Sequence, residues 1–184
     1  MTGPVLAPSV TGVVVVPSAP LLLPEHAGQV DAVPELRAAI RETLSGLPVG
    51  EVALLPEPRW GERVGRFLLA DAGLGDRVAV SAARALVVVG DGSARRTEKA
   101  PGYLDERAAG FDAAIEDALR SGDAGALAAV DVELGQELLA AGAGVLRALG
   151  AAVVESGRAV IAADLAHAAD PFGVRYWVAR WQLG

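Results

Sequence analysis

The side chains best placed to do chemistry stand together in Gly90-Asp91-Gly92-Ser93-Ala94-Arg95-Arg96-Thr97-Glu98-Lys99-Ala100-Pro101. A carboxylate, a hydroxyl and three cations follow directly on Ala85-Leu86-Val87-Val88-Val89, a run that reads as a fully buried strand. Open α/β sheets bind their ligands outside the carboxyl ends of the strands, which is where this loop would lie. Arg95, Arg96 and Lys99 are the first candidates for ligand contact, because an arginine fork holds a carboxylate or phosphate through two parallel bonds. The same residues also read as a solvated charged loop in which Asp91 and Glu98 neutralise the cations. Ser93 is not in a Gly-x-Ser-x-Gly elbow and has no histidine near it in sequence, so it reads as a turn serine bonded to local backbone. Gly90-Asp91-Gly92 would cradle a phosphate only if a helix opened at once, and Pro101-Gly102 argue that none does.

The chain has two histidines and no cysteine, which excludes disulfides, thiolate catalysis and cysteine-held metals and fits a reducing cytoplasm. His26 reads as a surface residue. His167, in Ala166-His167-Ala168-Ala169-Asp170, reads as a turn histidine between two strands; with Asp164 and Asp170 it is also a candidate metal ligand. A transition-metal site usually needs three or four convergent ligands.

The elements that must carry these residues alternate between strand and helix. Thr11 to Val16 is a β-branched run ended by Pro17 and reads as a buried strand. Pro17 to Pro24 then reads as an extended, proline-stiffened loop. Leu36, Ile40, Leu44 and Leu47 recur at helical spacing after Pro34, with Gly46 as a stop. Val52 to Leu55 is a short strand, Arg63 to Leu69 a short helix, and Val78 to Val80 a further strand candidate. Asp105 suits the cap of a helix carrying Phe111, Ile115 and Leu119 on one face and ending near Gly122. A long helix is expected from Asp131 to Leu149, with Gly135, Gly142 and Gly144 marking close helix contact. Ala159 to Ala163 and Val174 to Val178 complete the strands. Alternation along the last one puts Val174, Tyr176 and Val178 on one side and Arg175, Trp177 and Ala179 on the other. Trp177 and Trp181 therefore lie either beneath a helix or in a subunit interface.

The pattern predicts a loose N-terminus over residues 1–10 and one α/β domain over 11–184, a three-layer α/β/α fold with a mixed, mostly parallel central sheet. Hydrophobic residues are 52% of the chain and aromatic ones 4%, so the core must be built from Ala, Val and Leu. A net charge of -7 argues against general nucleic-acid or anionic-membrane binding. No basic residue precedes Arg37, and Pro17, Pro20 and Pro24 interrupt the apolar N-terminal stretch. It therefore reads as neither secretion signal nor membrane helix, and the expected location is the cytoplasm.

Three segments resemble the class III (LigB-type) extradiol ring-cleavage dioxygenase superfamily, which includes the MEMO-like proteins. Val14 to Glu25 is similar to that family's opening strand and proline-rich loop. Gly90 to Ala100, with Gly102-Tyr103-Leu104-Asp105 and Phe111-Asp112, is similar to its Gly-Asp-Leu-Ser-His loop and following helix. Pro171-Phe172-Gly173-Val174-Arg175-Tyr176 is similar to its closing strand. The resemblance implies a LigB-like fold and a non-haem Fe(II) held by two histidines and a glutamate, with a third histidine moving protons. It places the first ligand at Ser18, the acid/base at Ala94 and the glutamate near Ala169; the second ligand histidine has no counterpart between Val30 and Arg84. What it implies here is therefore a catalytically degenerate homologue without a metal cofactor. Such a protein would keep a pocket between the Ser18 loop and the Asp91–Lys99 loop for a small anionic or aromatic ligand, or bind a protein. The ligand-binding candidates are Ser18, Asp91, Ser93, Arg95, Arg96 and Lys99. Two other readings stand beside it. One is an active metal-dependent dioxygenase-like enzyme with relocated ligands from His26, His167, Asp91, Asp164 and Asp170. The other is an interaction subunit with an apolar patch at Trp177 and Trp181. Oligomers are common in the family, which makes a homodimer an expectation too.

Overall fold

Two aliphatic runs with no polar residue on either side become the centre of the sheet in the computed structural model, which describes residues 6–26, 28, 30–79 and 82–184. They are β1 (Gly12–Val16) and, later in the chain, β3 (Ala85–Val89), and both are buried throughout. Between them lie α1 (Pro34–Ser45), β2 (Val52–Pro56) and α2 (Gly61–Asp71). After β3 come α3 (Arg107–Ser121), α4 (Ala124–Ala128), α5 (Val132–Glu137) and α6 (Ala143–Glu155), then β4 (Val160–Ala169) and β5 (Tyr176–Leu183). The protein is thus mixed α/β, with six helices and one five-stranded sheet among the described residues.

The sheet order is β2-β3-β1-β5-β4. The β1–β3 and β2–β3 ladders are parallel, the β1–β5 and β4–β5 ladders antiparallel, so β5 alone runs against the others. Strand alternation divides the core in two. Val13, Val15, Val88, Trp177 and Trp181 pack with α3, α4 and α6 through Ile115, Leu119, Leu127, Leu146 and Leu149. Val14, Val16, Val87, Tyr176 and Val178 pack with α1 and α2 through Leu36, Ile40, Leu44, Val64 and Leu69.

The split of β5 is the one its alternation predicts, and it decides between the two readings of its tryptophans. Trp177 and Trp181 are fully buried, and Trp181 Nε1 donates to the Leu119 carbonyl of α3 at 2.8 Å. No patch is left there for a subunit interface. α1, α2 and α3 form where their apolar spacing puts them, and Gly122 closes α3 at φ 74, in the left-handed region where glycine is favoured.

Other expectations are corrected. The helix expected over 131–149 is two helices, α5 and α6, separated by a turn in which Leu139 takes φ 56. The turn exists because Gly142 donates its N–H to the Asp91 carbonyl at 2.8 Å and sits so close that a Cβ there would lie 2.6 Å from that oxygen. Gly135 does mark helix contact, since its Cβ would lie 2.6 Å from Ala143 Cβ; at Gly144 a Cβ would meet open space. The Pro17–Pro24 loop is not extended. It winds into short 3-10 turns at Pro20–Leu22 and Pro24–His26, buries Leu22 and Leu23, and is held by Arg37, which donates to the carbonyls of Leu21 and Leu22. Residues 6–10 of the segment expected to be loose are packed: Leu6 and Val10 are buried, and Ser9 Oγ donates to the Ala83 carbonyl at 2.8 Å; residues 1–5 lie outside the described residues. Of Val78 to Val80, Val78 bridges Val52 and Val80 lies outside the described residues. β4 is longer than expected and takes in His167, which is therefore a strand residue rather than a turn residue. Among the described residues no helix is long and apolar enough to cross a membrane.

Candidate functional site

The carboxyl ends of β1, β2 and β3 bring Ser18, Glu57 and the Gly90–Lys99 loop to one edge of the sheet. The loop continues the sheet's bonding beyond β3. Gly90 N–H donates to Val16, Gly92 N–H to Arg175 and Arg96 N–H to Gly173, while Arg175 N–H donates to Ser93. Gly92 is required by this closeness, since a Cβ would lie 2.6 Å from the Trp177 ring and 2.8 Å from Asp112 Oδ1.

Two serine–aspartate pairs share one geometry. Ser18 donates its backbone N–H to Asp91 Oδ1 at 2.8 Å and its hydroxyl to Oδ2 at 3.0 Å. Ser93 donates its backbone N–H to Asp112 Oδ1 at 2.9 Å and its hydroxyl to Oδ2 at 2.5 Å. All four residues are buried. Burial pushes the Asp91 carboxyl up to about 7, against the two bonds from Ser18 and with the help of nearby Glu57. Burial also raises Asp112, against the Ser93 bonds and the charges of Arg96 and Arg175. Tyr176 is pushed upward too, by its burial and by Asp91.

A chain of ion pairs surrounds the second aspartate. Arg96 Nε lies 2.8 Å from Asp170 Oδ2 and 3.8 Å from Asp112 Oδ2. Arg175 pairs with Glu116, which also accepts from Trp177 Nε1 at 3.4 Å. Although burial works against it, the bonds from Arg175 and Arg120 hold Glu116 below the usual carboxylate range. Arg96, Asp112, Glu116 and Arg175 line a cavity of about 170 Å³ in which each cation already faces a carboxylate. A larger cavity, about 370 Å³, opens between the end of β2 and the α5–α6 turn. Its walls are mainly apolar, with Val132, Leu139, Ala140 and Ala143, and its polar groups are Glu57, Arg59 and Gln136. Glu57 accepts the N–H groups of Arg59, Trp60 and Gly61 and so caps α2. Arg59 is exposed and forms no ion pair among the described residues.

The sequence-derived candidates are therefore brought together in part. Ser18, Asp91 and Ser93 converge, but their polar groups bond protein partners and line neither cavity. The Ser18 loop and the Asp91–Lys99 loop, between which a pocket was expected, are tied together by the Ser18–Asp91 bonds. Arg96 reaches the smaller cavity as half of an ion pair. Arg95 is half-buried, with its Nε enclosed and without a hydrogen-bond partner, and Lys99 is exposed. Sequence reading missed the roles of Glu57, Asp112, Glu116 and Arg175. Asp112 alone gave a local sign: it lies next to Phe111 on the apolar face of α3.

The residues at the iron positions of the resemblance, Ser18 and Ala169, do not fit that metal, nor does Ala94 fit its acid/base position. The Ser18 hydroxyl is directed at Asp91, and the side chains of Ala94 and Ala169 have no donor atom. The relocated set does not gather either: among the described residues no three His, Asp or Glu side chains come together to hold a metal. His26 stands edge-on to Trp60 with ring centres 5.8 Å apart, His167 lies opposite Val178 in the β4–β5 ladder, and Asp170 is paired with Arg96. No model of a known protein family matches the chain, and no curated protein matches it.

Proposed function

We propose that the protein is a catalytically degenerate homologue of the class III extradiol dioxygenases that works by binding a small anionic or aromatic molecule, without ring cleavage. The observation that carries the reading is the loss of the groups the resemblance calls for: at its iron positions Ser18 is engaged by Asp91 and Ala169 offers nothing to a metal, and at its acid/base position Ala94 can move no proton. The two helix sets on the opposite faces of the sheet then stand as the outer layers of a three-layer, LigB-like α/β/α fold. The ligand site is the 370 Å³ cavity beside the Ser18–Asp91 pair, a volume in the range of small-ligand pockets. Its apolar walls suit an aromatic or branched body, and Arg59 at its wall suits a carboxylate.

The test begins with metal analysis of chelator-free protein, then Fe(II) is added back anaerobically before catechol and oxygen. No ring-opened chromophore is expected, and iron-dependent ring opening would overturn the reading. Benzoate serves as the binding probe in thermal melts. Gly144→Leu fills the cavity from a lining position where the added side chain enters open space, and it replaces a poor helix former in the first turn of α6 with a good one. It is expected to abolish benzoate stabilisation while the unliganded protein melts no lower. Equal stabilisation of both forms would place the ligand elsewhere.

A further inference from the structure

The two edges of the sheet are built differently. β2 is five residues long and ends in Pro56, which has no N–H to offer, and the 78–79 segment lies along it, with Ala79 N–H donating to the Val52 carbonyl at 3.0 Å. β4 is ten residues long, contains no proline, lysine or arginine, and has Asp164 and His167 as its only ionisable side chains. Among the described residues β4 pairs with β5 alone, which leaves its other row of N–H and C=O groups free. Ile161 is 60% exposed, and Ala162 and Ala166 are exposed with it. A long, weakly charged edge of this kind is a template for another strand; natural sheets blunt such edges with charge, proline, a cover or bulges, and of these β4 has only register shifts, between Val160 and Ala162 and between Leu165 and His167.

The placement of the two ionisable residues selects the partner. Three positions apart in a regular strand, Asp164 and His167 would face opposite sides. The ladder shifts register between Leu165 and His167, so Asp164 lies opposite Arg180 and His167 opposite Val178. Arg180 and Val178 are two residues apart on β5 and share a face, so Asp164 and His167 share one too. An antiparallel copy of β4, related by a two-fold axis passing between Leu165 and Ala166, brings each Asp164 beside the His167 of the other strand, twice over. A ring N–H of His167 then has a carboxylate to donate to, and both contacts follow from the symmetry of a single sequence. We propose that β4 is the seam of a homodimer, in which two five-stranded sheets join edge to edge through antiparallel β4 strands held by reciprocal Asp164–His167 contacts.

The experiment is sedimentation equilibrium of the full chain and its variants over a concentration series. The wild type is expected at twice the 18.7 kDa chain mass. Ala166→Lys places two like charges beside the two-fold axis, and Asp164→Lys places a cation beside each His167. Each acts twice across the axis, so each is expected to raise the dimer dissociation constant by about tenfold or more. The exchanged variant Asp164→His with His167→Asp keeps the reciprocal contact and is expected to remain a dimer. Circular dichroism and melting curves check that the variants are folded, and either lysine variant alone decides the question if the other fails to fold. A wild type that stays at 18.7 kDa at every concentration would overturn the proposal, as would a dimer indifferent to both lysines.

Discussion

Ser18–Asp91 and Ser93–Asp112 are the same construction in two electrical settings. In each, a buried aspartate accepts the backbone N–H of a serine on one oxygen and its hydroxyl on the other. Asp91 has Glu57 for a charged neighbour, and burial carries its carboxyl up to about 7. Asp112 has Arg96 and Arg175, which work against the upward push of its burial. The first pair ties the loop after β1 to the loop after β3 at the carboxyl ends of the strands. The second ties the β3 loop to α3 and, through Arg96 and Asp170, to the end of β4. Hydrogen-bond geometry alone therefore does not fix what a buried carboxylate does. Its nearest charges decide whether it is a seal beside another carboxylate or the hub of a chain of ion pairs.

The largest test of this contrast is Asp112→Ala. It orphans the Ser93 N–H and hydroxyl and removes one of the two carboxylates facing Arg96. Breaking a buried ion-pair network from one side costs roughly 3–5 kcal/mol, and that loss is expected in urea unfolding at neutral pH. A loss below about 1 kcal/mol would show that Asp112 is not the hub.

Asp91 should show its difference as a pH profile. Its folded value, about 7, is raised above the ordinary 3.8, so the folded protein holds this proton more tightly than the unfolded chain. Its contribution to stability is complete below pH 3.8 and falls as pH rises through about 7, because in that window the unfolded chain binds fewer protons. Asp91→Asn keeps an oxygen for the Ser18 N–H and stays neutral at every pH. The stability of the variant relative to wild type is therefore expected to climb from pH 4 to pH 7 and then level off. A flat difference across that window would show that Asp91 is ionised throughout.

The sequence made one half of this contrast more legible than the other. β1, β3, α1 and α3 announce themselves through unbroken valine runs, helical spacing and Gly122, all of which are local. The carboxylate of Asp91 and the hydroxyls of Ser18 and Ser93 were visible as candidates, but partners 73 residues apart in sequence leave no spacing to read. Asp112 was readable in principle, as an acidic residue sharing a helix face with Phe111 and Ile115. Glu57 was not, because its role depends on α2 beginning four residues later and folding back over it. The split between α5 and α6 was hidden for the same reason: the pattern from 131 to 149 is helical, and the Asp91 backbone, far away in sequence, stops it at Gly142.

The smallest effect separates the two serines themselves. Ser18→Ala and Ser93→Ala each remove one hydroxyl and leave the backbone N–H of the pair in place. A bond to a charged group is worth roughly 1.5–3 kcal/mol and a neutral one about 1 kcal/mol. Burial raises both carboxyls, but Glu57 adds to the push on Asp91, which reaches about 7, whereas Arg96 and Arg175 work against the push on Asp112. Ser93→Ala is therefore expected to lose more stability than Ser18→Ala at neutral pH, by about 1 kcal/mol. The gap should narrow as acid protonates both carboxyls, since both hydroxyls then bond neutral groups. Equal losses at pH 7 would mean that Arg96 and Arg175 do not distinguish Asp112 from Asp91, and the electrical half of the comparison would fail while its geometry stood.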